Sequence, residues 1–115
     1  MNKQQHIGME NINLVVSAYE FDAEQKLTGL ITKALEDEGM IYPDILGEKV
    51  EVQRGSFTTT YDKSEGYHYT VEFEVYDGRY MIMFGRAVGS MSPLPAEGMF
   101  KINDLEIDQL TITAR

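Results

Sequence analysis

Residues 69–84 read YTVEFEVYDGRYMIMF, and the register of this stretch decides the fold. Val71, Phe73 and Val75 alternate with Thr70, Glu72 and Glu74, the period-2 pattern of a strand with one buried face. Asp77-Gly78 is a strong signal for a two-residue hairpin, because a type I′ turn needs positive φ at both central positions. Beyond the turn, Tyr80 to Phe84 carries large apolar residues at both parities. A turn at Asp77-Gly78 predicts that Tyr76 faces Arg79, Val75 faces Tyr80, Phe73 faces Ile82, Val71 faces Phe84 and Tyr69 faces Arg86. Tyr69, Val71, Phe73, Val75, Tyr80, Ile82 and Phe84 then form the core face. Met81 and Met83 stand on the outer face beside Glu74 and Glu72. Methionine is common on adaptable binding surfaces, so this pair is expected to be covered by the chain's own tail or Pro-Leu-Pro loop, by a second copy, or by another partner or ligand.

Upstream, residues 10–20 alternate as a strand. The period then changes to that of a helix: Leu27, Leu30, Ile31, Ala34 and Leu35 share one stripe, with Asp22 and Gln25 as a capping box and Gly39 as the stop. Gly29 costs about 1 kcal/mol against alanine inside a helix, which predicts close packing there. Glu36, Asp37 and Glu38 occupy the last turn, where the helix dipole disfavours negative charge. After a loop holding Pro43 and Gly47, the chain reads as strands: a shift of apolar parity predicts one bulged residue near Gly55, and the tail 99–115 adds one or two strands. The expected fold is α+β, one amphipathic helix packed on a curled antiparallel sheet of about five to six strands, an order that resembles cystatin-like and NTF2-like folds in layout only.

The chain has 115 residues, the size of a single domain, with residues 1–8 expected to be disordered. It contains no cysteine, so disulfides and thiolate chemistry are excluded. A net charge of −9 speaks against a nucleic-acid backbone or an anionic membrane and favours a basic protein partner. The N-terminus lacks the apolar run of a signal peptide, which predicts a cytoplasmic protein.

No constellation predicts catalysis, a metal or a cofactor. Glu72 and Glu74 lie about 7 Å apart along one strand, a spacing that an ordinary polar strand face also produces. His68 lacks a second histidine at ligand spacing, and the run Asn103–Asp108 lacks the glycine of a calcium loop. Two functions remain as expectations. The first is a small acidic inhibitor, immunity or antagonist domain, not an enzyme, that docks a basic protein through Met81, Met83, Glu72, Glu74, Glu36, Asp37 and Glu38. The second is a small-molecule binder in which Arg86 or Arg54 pairs with an anion while Tyr69, Tyr80 or Phe84 stacks on an attached ring. A homodimer is compatible with either.

Overall fold

The structure is a computed structural model that describes residues 7–19 and 21–113. Its elements run β1 (Gly8–Met9), β2 (Leu14–Ser17), α1 (Asp22–Asp37), α2 (Pro43–Leu46), β3 (Lys49–Val52), β4 (Thr58–Asp62), β5 (Gly66–Asp77), β6 (Tyr80–Pro93), β7 (Met99–Ile102) and β8 (Leu105–Ile112). Residues 1–6 of the segment expected to be disordered lie outside the described residues. The rest of it is ordered: Ile7 is buried, and β1 pairs with Leu105 and Glu106. No helix among the described residues is long and apolar enough to cross a membrane.

Helix α1 buries four of the five residues of the stripe that its sequence predicts, Leu27, Ile31, Ala34 and Leu35, against β2 and β3, while Leu30 is half-buried. Gly39, at φ 71°, follows its end as expected. Its start differs from expectation. Phe21 holds the cap position at φ 61° and no side chain caps the helix. Asp22 lies inside the first turn, where its carboxylate accepts the Ser17 N–H at 2.8 Å and pairs with Lys26 at 3.3 Å. Those contacts, the Ser17 N–H foremost, hold Asp22 below the usual carboxylate range. Gly29 is exposed with open space around it, so close packing does not account for it.

Among the described residues the antiparallel sheet has eight strands rather than five or six; five follow the path β1-β8-β6-β5-β3, and β2, β4 and β7 lie off it. The surplus arises because each long strand is flanked by two short ones in succession: β3 and β4 both pair with β5, and β8 and β7 both pair with β6. Val52 faces Phe73 and Thr58 faces Thr70, so the five residues 53–57 stand opposite the two residues 71–72. Three residues are therefore extra, where the parity shift predicted one. Parity reports only whether the excess is odd. Glu24, buried in the first turn of α1, holds this excursion down: its two carboxylate oxygens accept the N–H groups of Gly55 at 3.1 Å and Phe57 at 2.9 Å.

The β5–β6 register also departs from expectation. Asp77 pairs with Tyr80 and Tyr76 with Met81, but Val75 pairs with Met83, leaving Ile82 as a bulge. Only Gly78 of the two loop residues Gly78-Arg79 has positive φ, the sign pattern of a type II′ turn. Beyond the bulge Phe73 faces Gly85, Val71 faces Ala87 and Tyr69 faces Gly89. Sterics explain the choice. A Cβ on Gly89 would meet the Tyr69 ring at 2.7 Å and the Asp104 carbonyl, and one on Gly85 would meet Phe73 at 3.1 Å and the Gln109 carbonyl. The aromatic rings of β5 thus lie where β6 has no side chain. The bulge explains why consecutive Ile82 and Met83 are both buried.

Two stability predictions follow from these joints. Gly89→Ala should destabilise by about 3 kcal/mol, the upper range for overpacking, because backbone as well as the Tyr69 ring must move. Glu24→Ala should lower stability by about 2 kcal/mol by stripping both acceptors from the 53–57 excursion. Denaturant midpoints of the two variants check both values.

Candidate binding groove on the outer sheet face

Helix α1 joins the core through Leu27, Ile31, Ala34 and Leu35, on the side to which Val71, Phe73 and Val75 point. The opposite parity of β5 faces the other way. On that outer face the strand registers line up two rows of side chains. One runs Glu51, Glu74, Phe84, Thr111; the other runs Glu72, Arg86, Gln109. Between the rows, the pair Phe73 and Gly85 turns its substituents toward the core and leaves a depression. The resulting open groove of about 390 Å³ is lined by Glu72, Glu74, Met81, Phe84 and Arg86, with Gln53, Gln109 and Thr111 at its margin.

Its charges are unequally matched. Arg86 is held by Asp108 in a two-pronged contact, Nε donating to Oδ1 at 3.1 Å and the terminal nitrogen to Oδ2 at 2.6 Å. This pairing, with the Glu72 charge across the strand, holds the guanidinium firmly in its charged form and pushes its pKa up. Asp108 reaches the face because β8 has its own irregularity: Arg86 faces Gln109 while Ala87 faces Ile107, so Asp108 stands between pairs. Glu74 accepts the Tyr76 hydroxyl at 2.7 Å and the Gln53 amide at 3.1 Å. Both donors are neutral, so they orient the carboxylate without cancelling its charge. Its effect on Tyr76 has the matching sign: the hydrogen bond to Glu74 raises the phenol pKa, with Glu51 adding to it. Glu51, Glu72, Glu74 and Asp108 thus oppose Arg86 here, while Lys49 sits at the end of the face opposite Tyr76.

Nine residues named from sequence are corrected or placed elsewhere. Met83 is 1% exposed and belongs to the core, so the methionine pair is split and only Met81 lines the groove. Phe84, expected in the core, is 41% exposed on the outer face, and Tyr80 is 72% exposed beside the turn. Arg86, expected opposite Tyr69 on the core-facing side, stands opposite Glu72 and points outward to Asp108. Tyr69 is buried, its hydroxyl donating to the Asp104 carbonyl at 2.8 Å, which removes it from any ligand surface. Arg54 stacks over the Phe21 ring at 4.6 Å, beside the N-terminus of α1. Glu36, Asp37 and Glu38 are exposed at the end of α1, on the other side of the sheet, so a partner seated in the groove does not meet them; Asp37 pairs with Lys33 at 3.6 Å.

The sequence reading missed Gln53, Asp108, Gln109 and Thr111. Their strands are too distant in sequence for spacing to bring them together. Asp104, in the run weighed for calcium, instead accepts the N–H and hydroxyl of Ser90 at 2.8 and 2.7 Å. Among the described residues no group of three or more His, Asp or Glu is arranged to hold a metal ion. Comparison with protein-family models, with curated proteins and with solved structures returned no match.

Burial, and secondarily the Asp104 charge, pushes the Tyr69 phenol well above its ordinary value of 10.0. A folded pKa raised above the unfolded one contributes stability that is fully present below about pH 10 and is lost as pH rises toward the folded value. Tyr69 should therefore ionise together with unfolding. Tyr69→Phe should cost about 1 kcal/mol at neutral pH and flatten the alkaline loss of stability, as read by near-ultraviolet titration and denaturation at each pH.

Proposed function

We propose that this chain is a non-enzymatic binding protein, of the small inhibitor or antagonist kind, that docks a basic protein through its outer groove. Glu72 and Glu74 receive a lysine or arginine side chain of the partner, and Phe84 and Met81 pack against its aliphatic stem or guanidinium plane. The supporting observation is the composition of the groove: two carboxylates beside a 41% exposed phenylalanine, on a face that α1 leaves uncovered, with the resident arginine already claimed by Asp108. A cation over an exposed ring contributes about 0.5–1 kcal/mol, and charge-assisted hydrogen bonds add roughly twice what neutral ones do. The net charge of −9 extends the attraction to longer range and accelerates encounter.

The small-anion reading has less support, because its leading cation, Arg86, meets a carboxylate on one strand and faces another across the sheet. The cystatin-like or NTF2-like layout remains an analogy of element order and carries no function with it.

The test is a heteronuclear NMR titration with an Arg-Gly repeat peptide as the probe. Amide shifts should centre on Glu72, Glu74, Phe84 and Arg86, and Glu72→Gln with Glu74→Gln should weaken binding about tenfold, equivalent to one lost charge-assisted contact. Glu36→Gln with Asp37→Gln should leave it within about twofold, as expected for distant surface charges. Shifts centred on the end of α1, or affinity unchanged in the first double variant, would overturn the assignment.

A further inference from the structure

Strands at the edge of a sheet present unpaired backbone groups, and stable monomers guard them with charge, shortness or cover. Three edges here carry such a guard. β1 has two residues. β2 gives its Val15 carbonyl to the Lys26 ammonium at 2.9 Å. β3 exposes Lys49 and Glu51. β4 is different: all five residues, Thr58 to Asp62, are exposed, and among the described residues the strand pairs only with β5. Its run Thr-Thr-Thr-Tyr is β-branched and aromatic, with no lysine and no proline.

From this we infer that β4 is an interface strand for a second copy of this chain, two β4 strands pairing antiparallel about a two-fold axis at Thr60. The self-complementarity of the strand about Thr60 gives this occupant, and charge gives this register. Self-association of a chain with net charge −9 requires a contact where acids do not meet acids. Centred on Thr60, the pairing uses all five residues and sets Thr60 against Thr60, Thr59 against Tyr61 and Thr58 against Asp62, so no like charges face each other. It also gives Tyr61 a use. This ring is 62% exposed and contacts Tyr67 at a centroid distance of 4.8 Å. In the paired arrangement the two Tyr61 residues become diagonal neighbours on one face, within reach of each other, and an aromatic row crosses the junction. No residue of β4 lines the groove, and the inference stands without the reading given to it.

A five-residue strand pair buries less than a standard interface, so the dimer is weak and concentration-dependent. Sedimentation equilibrium from about 10 μM to about 1 mM should show monomer passing into dimer for the wild type. Thr60→Lys and Thr60→Glu each place like charges opposite one another and should each weaken association about fivefold. Mixing the two variants should restore it to the wild-type level or above, because lysine then faces glutamate. Hydrogen exchange of the wild type provides a readout without substitution: β4 amides not bonded to β5 should gain protection with concentration. A single monomeric species throughout, substitutions without effect, a mixture no better than either variant alone, or protection independent of concentration would each overturn the proposal.

Discussion

The structure turns on one joint, the packing of Tyr69 against Gly89. The ring occupies space that any side chain on β6 would fill, and its hydroxyl reaches the carbonyl of Asp104 at the turn between β7 and β8. The Asp104 carboxylate in turn takes the Ser90 N–H and hydroxyl. One aromatic residue thus ties β5 to β6 and both to the following turn, where the neighbour of β6 changes from β8 to β7. Phe73 over Gly85 repeats the fit four residues along. Close packing admits no compromise between these registers, since a shift of one residue would drive a ring into a neighbouring side chain.

The outer face is a consequence of that register. Once Phe73 and Gly85 turn to the core, Glu72, Glu74, Phe84 and Arg86 must face away from it. The bulge at Ile82 keeps Met83 inside, and the irregularity at Asp108 turns a carboxylate toward Arg86. Charged groups are tolerable here because water screens them, and an exposed ion pair contributes little to stability. Their arrangement therefore bears on what the face can bind more than on whether the chain folds. At the acidic turn Glu36–Glu38 the Lys33–Asp37 pair offsets part of the unfavourable position at the C-terminal end of α1.

Sequence alone determined what depends on neighbours along the chain. The period of Leu27, Ile31, Ala34 and Leu35 located α1 and its buried stripe, Gly39 marked its end, and the alternation through Val71, Phe73 and Val75 identified the core face of β5. The same local signals placed Glu72 and Glu74 on the outer side and excluded thiol chemistry. Tertiary structure decided what depends on contacts between distant residues. The turn at Gly78 could close in more than one register, and the outcome was settled by rings on β5 that need glycines on β6. A single bulged residue reverses the parity of everything beyond it, which is why Met83, Phe84 and Arg86 lie on faces opposite to those that spacing predicted. Glu24 could not be read as the anchor of residues 53–57, nor Asp108 as the mate of Arg86, because local periodicity carries no record of pairings separated by 22 to 33 residues.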